Sequence, residues 1–188
     1  MFKELKPSSV VEWIAETLRE HRSRSARTIF LLGDFYAAVR DRLSSPGNKV
    51  DRETLLERLD KEGLSLLILK KGVALYSAKK GGMTPLVEAI DRLGPRRLSN
   101  STIVDKIVGR AAALLISYFG ASEVYSKVMS GHAEEILDRH RIKHFSQRIV
   151  EVIKNRDNVD ICPFERMVLK IEDPQEGYKR IRRSIKST

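Results

Sequence analysis

Three short segments carry the side chains that could do chemistry. Asp105-Lys106 interrupts an apolar run, Met129-Ser130-Gly131 precedes a helical pattern, and a polar stretch from Asn155 leads to the only cysteine. A carboxylate, an amine and a thiol are the groups used for proton transfer and nucleophilic attack. We therefore predict the catalytic candidates Asp105, Lys106 and Cys162. The predicted ligand-binding residues are Ser130, Gly131, Asn155 and Arg156.

The surrounding pattern indicates how these segments meet. Residues 102–116 read as a strand that stops at Asp105-Lys106 and turns into a helix packed through small residues. Residues 123–129 and 145–153 read as strands, with a helix over 132–140 between them. If the two strands are parallel neighbours, their carboxyl ends share one sheet edge, where open α/β sheets bind ligands. Helix N-termini at that edge, together with Arg156, favour a small anionic metabolite or nucleotide.

Each candidate also has a simpler interpretation. Asp105 could only cap a helix, and Lys106 could be a solvated residue of a first helical turn. Cys162 before Pro163 is commonly a small apolar residue at a helix start, and residues 155–158 could form a plain polar turn. Gly109 and the alanines after it would let a helix approach the sheet closely. The sequence leaves these alternatives open.

The sequence pattern outside these segments predicts that the chain has two structural parts. Residues 8–22 and 26–43 are predicted to form a helical pair, and the composition of residues 44–48 indicates a boundary. We expect an N-terminal helical extension over residues 1–48 and an α/β domain over residues 49–188. That domain should contain a helix capped by Asp51, a hairpin at Lys71-Gly72 and a helix begun at Pro85. A final helix, begun at Asp173-Pro174, carries basic residues.

Hydropathy, cysteine count and net charge limit the classes of protein to which this chain could belong. No apolar run among the 188 residues approaches the roughly 20 needed to span a bilayer, and no secretory signal is evident, so we expect a cytoplasmic protein. One cysteine allows no intramolecular disulfide. The net charge of +10 is concentrated in the last helix, which keeps nucleic-acid binding as an alternative function. Its cations are Lys179, Arg180, Arg182, Arg183 and Lys186. A scaffold that dimerises through the N-terminal helices is the third possibility.

Four motifs resemble an uncharacterised prokaryotic family, a domain of unknown function grouped with the cytidine-deaminase-like superfamily. They are V-D-K-I-V-G-R-A-A-A from Val104, V-M-S from Val128, N-R-D from Asn155 and C-P-F-E from Cys162. The similarity covers about residues 51–175. It implies a three-layer αβα sandwich with a mixed sheet, in which Asp105 opens the helix that carries a zinc ligand in true deaminases. It implies no particular reaction.

His132-Ala133-Glu134 spells the H-x-E of zinc deaminases, but the rest of that zinc site is missing. Such a site needs two cysteines besides the histidine, and this chain has only one. By the resemblance, the tripeptide also lies on the helix where the cysteine motif belongs. We interpret it as an ordinary exposed first helical turn, and predict no metal and no cofactor. Whether the domain catalyses any reaction stays open.

Overall fold

The computed structural model describes residues 51–155, 157 and 159–187, which form a mixed sheet. Its strands are β1 (Leu66–Lys70), β2 (Val73–Ala78), β3 (Thr102–Val108), β4 (Glu123–Ser130) and β5 (Lys143–Val150). Their order across the sheet is β2-β1-β3-β4-β5. β1 is antiparallel to both of its neighbours, whereas β3, β4 and β5 are mutually parallel.

Helices connect and cover these strands. They are α1 (Arg52–Lys61), α2 (Thr84–Leu93), α3 (Pro95–Leu98), α4 (Arg110–Phe119), α5 (Gly131–Arg139), α6 (Pro163–Met167) and α7 (Pro174–Lys186). α4 connects β3 to β4, and α5 connects β4 to β5, so each parallel pair is joined through a helix as parallel strands require. The short α3 follows α2 after the single residue Gly94.

Local sequence signals account for several element boundaries. Lys71 and Gly72 have φ of 52° and 82° between β1 and β2, which matches the two positive φ values of a type I′ hairpin turn. The Asp173 carboxylate accepts the amides of Gln175 and Glu176 at 3.4 and 2.9 Å and caps α7. The hairpin and the cap of the last helix are therefore confirmed. Asp51 stands at the N-cap position of α1 without a side-chain capping bond.

Two apolar clusters lie on opposite faces of the sheet. Leu66, Ile68 and Ile103 belong to the larger cluster, with buried residues of α2, α4, α5 and α7. Leu67 and Val104 belong to the smaller cluster, with the three buried leucines of α1. Adjacent strand residues thus enter different clusters, as the period of two in a strand requires. The result is an α/β fold with helices packed on both faces of a mixed sheet.

The predicted helices over residues 8–22 and 26–43 lie outside the described residues. The predicted domain boundary and the dimerisation through that pair stay predictions. Within the described part of the chain, no helix has both the length and the apolar character needed to cross a membrane.

Candidate functional site

The parallel arrangement on which the site prediction depended is present. β3 and β4 pair in parallel up to Val108 and Met129, and β4 and β5 pair in parallel up to Ser130 and Val150. The carboxyl ends of all three strands therefore point to one edge of the sheet. α4 and α5 begin directly at this edge, with Gly109 and Ser130 as their N-cap residues.

Glu165 occupies the space between the two helix starts. Its side chain is almost fully buried, with 1% of the residue exposed. One carboxylate oxygen, Oε2, accepts the backbone amide of Arg110 at 2.8 Å, and the other, Oε1, accepts the Ser130 hydroxyl at 2.8 Å. A negative charge at the start of α4 and α5 interacts favourably with both helix dipoles. The anion at this edge is thus supplied by the protein itself.

Gly109 makes room for that carboxylate. A Cβ atom at this position would lie 2.2 Å from Glu165 Oε2 and 3.0 Å from Ile153 Cγ1. The backbone of Gly109 is extended, with φ of −99°, so its lack of a side chain is needed for space and not for conformation. Close helix-to-sheet packing was the predicted reason for the glycine, whereas the structure shows that it admits Glu165.

The Arg110 side chain connects this edge of the sheet to the segment between α6 and α7 by hydrogen bonds. Only 5% of the residue is exposed. Its Nε donates to the carbonyl of Val168 at 3.0 Å, and its Nη2 donates to the carbonyl of Ile171 at 2.9 Å. Glu135 is its nearest acidic partner, at 4.0 Å. This arginine is therefore committed to backbone acceptors.

His132 stands beside the buried carboxylate. Its Nδ1 lies 3.8 Å from Glu165 Oε1, which is too long for a hydrogen bond. The same nitrogen is buried and finds no hydrogen-bond partner in the described part of the chain. A third of the side chain, 33%, is nevertheless exposed. The predicted exposed helical turn is thus only half right, because the inner side of this ring reaches the Glu165 network.

Asp105 does not lie at a helix start, and that prediction is wrong. It is an interior residue of β3, opposite Leu66 on β1 and Ser126 on β4. The strand continues through Ile107 and Val108, and α4 begins only at Arg110. Burial raises the pKa of Asp105 to about 7, although hydrogen bonds from the amides of Ile107 and Lys106 act in the opposite direction.

Ser126 lies opposite Asp105 in the register of β3 and β4. The residue is fully buried. Its hydroxyl has no hydrogen-bond partner within residues 51–155, 157 and 159–187. Cross-strand neighbours in register project from the same side of a sheet, so Asp105 and Ser126 form a small polar region inside the apolar layer.

Lys106 does not share a site with Asp105. Consecutive strand residues point to opposite faces, and the charge of Lys106 acts on Asp60 of α1. A hydrogen bond from Lys127 is the main cause that lowers the pKa of Asp60, and the charges of Lys127 and Lys106 add to it. The prediction that Asp105 and Lys106 act together at one site is therefore wrong, because their side chains lie on opposite faces of the sheet.

The remaining predicted residues are partly brought together. Ser130 caps α5 by accepting the Ala133 amide at 3.2 Å, and Gly131 is the first residue of that helix. Because Ser130 also donates to Glu165, its hydroxyl is already engaged on both sides. Cys162 is the N-cap of α6, three residues before Glu165, and is partly exposed. Ser130 and Gly131 therefore lie at the carboxyl end of β4, and Cys162 begins the helix that carries Glu165.

Asn155 has a structural role in the loop after β5. Its side-chain oxygen accepts hydrogen bonds from the backbone amides of Val159 and Asp160 at 3.1 and 3.3 Å. The backbone amide of Asn155 donates to the Asp160 carbonyl at 2.7 Å. The Asn155 side chain is therefore used within this loop. Arg156 lies outside the described residues.

The basic helix α7 is partly neutralised. Arg182 donates to Asp91 of α2 at 2.8 and 3.0 Å, and Lys186 lies 4.0 Å from the same carboxylate. The other cations of the helix, Lys179, Arg180 and Arg183, are exposed. Nucleic-acid binding through α7 depends on these three residues and stays a prediction.

Sequence reasoning missed Arg110 and Glu165 as members of the site. Glu165 follows Cys162 by three residues, a spacing typical of any acidic residue in a first helical turn. Nothing in the sequence pairs it with an amide 55 residues earlier. The glycine at position 109 was the one available signal, and a glycine there has several possible causes.

Comparison with known proteins places the chain in a family. The family profile TM1506, a domain of unknown function (DUF1893), matches residues 54–185. The crystal structure of a DUF1893 family protein (TM1506) from Thermotoga maritima is similar, with 27% sequence identity and a TM-score of 0.66. The similar region covers 74% of this chain and 92% of that one. No curated protein matches the chain. Since the profile covers more than half of the chain, from α1 into α7, the protein belongs to the DUF1893 family.

Proposed function

We propose that the protein binds a small polar metabolite at the carboxyl edge of β3, β4 and β5, on a deaminase-like three-layer sandwich that uses no zinc. The observation that carries the proposal is the pair formed by Glu165 and His132. Their closest atoms are 3.8 Å apart, with the carboxylate buried and a third of the histidine side chain exposed. A buried carboxylate behind a solvent-reachable histidine is an arrangement that binding and catalytic sites use.

The location supports the same proposal. In open α/β sheets, ligands bind outside the carboxyl ends of parallel strands. Here that edge is shared by the starts of α4 and α5 and by Cys162 at the start of α6. The elements are rigidly connected, because Glu165 bonds to both Arg110 and Ser130. A ligand at this edge would meet a fixed frame with one adjustable side chain, His132.

The charge at the edge defines the ligand class. At the start of α4 the Arg110 amide already donates to Glu165, and at the start of α5 the Ala133 amide donates to Ser130. The Arg110 side chain donates to the carbonyls of Val168 and Ile171. A ligand that offers a hydroxyl, an amine or an amide N–H is therefore a better partner for His132 than a bare anion. A nucleotide would bind through its base or sugar, with its phosphate directed to solvent.

A thermal-shift screen of matched pairs tests the proposal. Each nucleoside or sugar is compared with its monophosphate, on the wild type, on His132→Ala and on the control His140→Ala. His140 is an exposed histidine at the other end of α5. At about 100 times Kd, a ligand adds about 2.7 kcal/mol of stability, which raises the Tm by several degrees. We expect this rise from the unphosphorylated member, in the wild type and in His140→Ala only.

Two outcomes would overturn the proposal. One is that no compound raises the Tm, or that the rise survives in His132→Ala. The other is a rise given only by phosphorylated members, which would assign an anion site and contradict the polar-donor class.

A further inference from the structure

The Nδ1 atom of His132 is placed against a negative charge. It lies 3.8 Å from Glu165 Oε1 and is buried without a hydrogen-bond partner in the described part of the protein. An unprotonated Nδ1 would direct a lone pair toward the carboxylate, whereas a protonated Nδ1 directs an N–H toward it. Electrostatics therefore selects the form with the proton on Nδ1. A small rotation of the ring would convert this approach into a hydrogen bond.

The proton on Nδ1 determines the state of the other ring nitrogen. Neutral imidazole carries one N–H, so Nε2 then has a free lone pair. Nδ1 is buried while 33% of the side chain is exposed, so the exposed part of the ring lies on the Nε2 side. Nε2 is thus the proton acceptor that a ligand at the sheet edge would meet.

Glu165 is held too firmly to leave this position. Its two oxygens accept the Ser130 hydroxyl and the Arg110 amide, each at 2.8 Å. The glycine at 109 also leaves the carboxylate no spare space, since a Cβ there would lie 2.2 Å from Oε2. A fixed carboxylate behind a histidine is the arrangement that orients a general base.

We infer that His132 is the acid–base residue of this protein, with Nε2 as the reacting atom and Glu165 as the positioning residue behind it. This inference rests on the proposed function, and it defines the substrate as a small molecule with an O–H or N–H group. Nε2 accepts the proton of that group and becomes N–H, while the electron pair of the broken bond stays on the oxygen or nitrogen of the substrate. The Glu165 carboxylate faces Nδ1 throughout, and Nε2 later returns the proton to the product.

Nuclear magnetic resonance of the full chain with ¹⁵N-labelled histidine tests the inference. The chain has four histidines, and the spectrum of His132→Ala identifies the signal of interest. At a pH where the ring is neutral, we expect proton attachment at Nδ1 and an unprotonated Nε2 for His132. In Glu165→Gln, which keeps the shape of the side chain but not its charge, we expect the population to move toward the Nε2–H form.

An Nε2–H form in the wild type would overturn the inference. The wild-type spectrum gives this answer even if Glu165→Gln does not fold. An unchanged population in a folded Glu165→Gln would also overturn it, because the carboxylate would then not set the tautomer. The result is independent of the ligand screen, so a failed screen with the expected tautomer would reject the proposed function alone.

A compound found in the screen gives the last measurement. We expect it to move the Nε2 resonance of His132 and to leave that of His140 in place. Binding without any change at His132 Nε2 would show that this nitrogen does not meet the ligand, and would reject the acid–base role.

Discussion

Glu165 and Asp105 are two carboxylates in the same domain that differ in the hydrogen-bond donors around them. Glu165 receives a backbone amide from α4 and a hydroxyl from β4. Asp105 receives only amides of the residues that follow it, while the hydroxyl of neighbouring Ser126 bonds to neither it nor any other described group. Burial consequently raises the pKa of Asp105 to about 7.

From this difference in donors, we expect the hydrogen bonds around a carboxylate to decide its effect on stability more than the depth of burial does. Glu165 joins elements that are distant in sequence and should contribute to stability. Asp105 is held within its own strand, so its ionised form should reduce stability. Substitutions that remove either carboxylate, or that place a methyl group against Glu165, test this comparison.

The largest effect is expected for Glu165→Ala. The substitution leaves the Arg110 amide and the Ser130 hydroxyl without an acceptor and opens a cavity, so we expect a loss of about 3 kcal/mol in the free energy of unfolding. Urea denaturation measures it. Glu172→Ala is the control, because Glu172 pairs with Arg139 at 2.8 Å on the surface and should cost less than about 1 kcal/mol. Equal losses in the two variants would remove the distinction between Glu165 and a surface acid.

Gly109→Ala should be next, at about 2 kcal/mol, since the new methyl group overpacks the space of Glu165 Oε2. In the Glu165→Ala background the same change should cost much less, leaving mainly the tight contact with Ile153. Gly131→Ala serves as control, because its Cβ would have only ordinary contacts, at 3.9 and 4.0 Å. A double-mutant cycle in urea measures the coupling, and additive losses would contradict the proposed steric cause.

Asp105→Asn should stabilise the protein, by about 2 kcal/mol at pH 8. An acid whose folded pKa is about 7 and whose model value is 3.8 holds its proton more tightly in the folded state. The wild type should therefore lose stability as the pH rises from about 4 to about 7, and then level off. The full shift corresponds to about 4 kcal/mol, and partial exposure of Asp105 reduces this figure.

Thermal unfolding of both proteins at pH 4, 6 and 8 checks that prediction. Most of the gain should be gone at pH 4, because the folded carboxyl is then protonated and the unfolded one, with a value of 3.8, is partly protonated. Asp60→Asn, on the other face of the sheet, is the control of opposite sign, because its pKa is lowered, and it should not stabilise at pH 8. A wild type as stable at pH 8 as Asp105→Asn would show that Asp105 is well solvated.

Much of the framework was predictable because its signals are local. The hairpin at Lys71-Gly72, the cap at Asp173 and the strand–helix–strand order around α5 follow from turn chemistry and periodicity. The boundary after Asp105 was not predictable in the same way. An aspartate before a helical pattern is read as a cap, yet Ile107 and Val108 extend the strand, and Gly109 takes the N-cap position.

The sheet edge was predicted, but the contacts made at it were not. Parallel strands fix where their ends meet, so the position of Ser130 at the end of β4 could be predicted. The contacts of Glu165 with Arg110 and Ser130 join residues 55 and 35 positions apart, and no periodic pattern reports such pairs. Lys106 was misplaced because a one-residue difference in strand position reverses the direction of a side chain.

The contacts of Arg110 also affect the order in which the protein can form. When synthesis has passed Val150, all five strands exist, but the acceptors at Val168 and Ile171 and the Glu165 carboxylate are still missing. Contacts of such long sequence separation are completed late, after the loop-closure entropy has been lost. The nascent domain therefore has its sheet before its edge is closed, and the edge becomes rigid only when residues 163–171 dock. A ribosome-bound chain ending before Pro163 should expose the start of α4 to solvent and to chaperones.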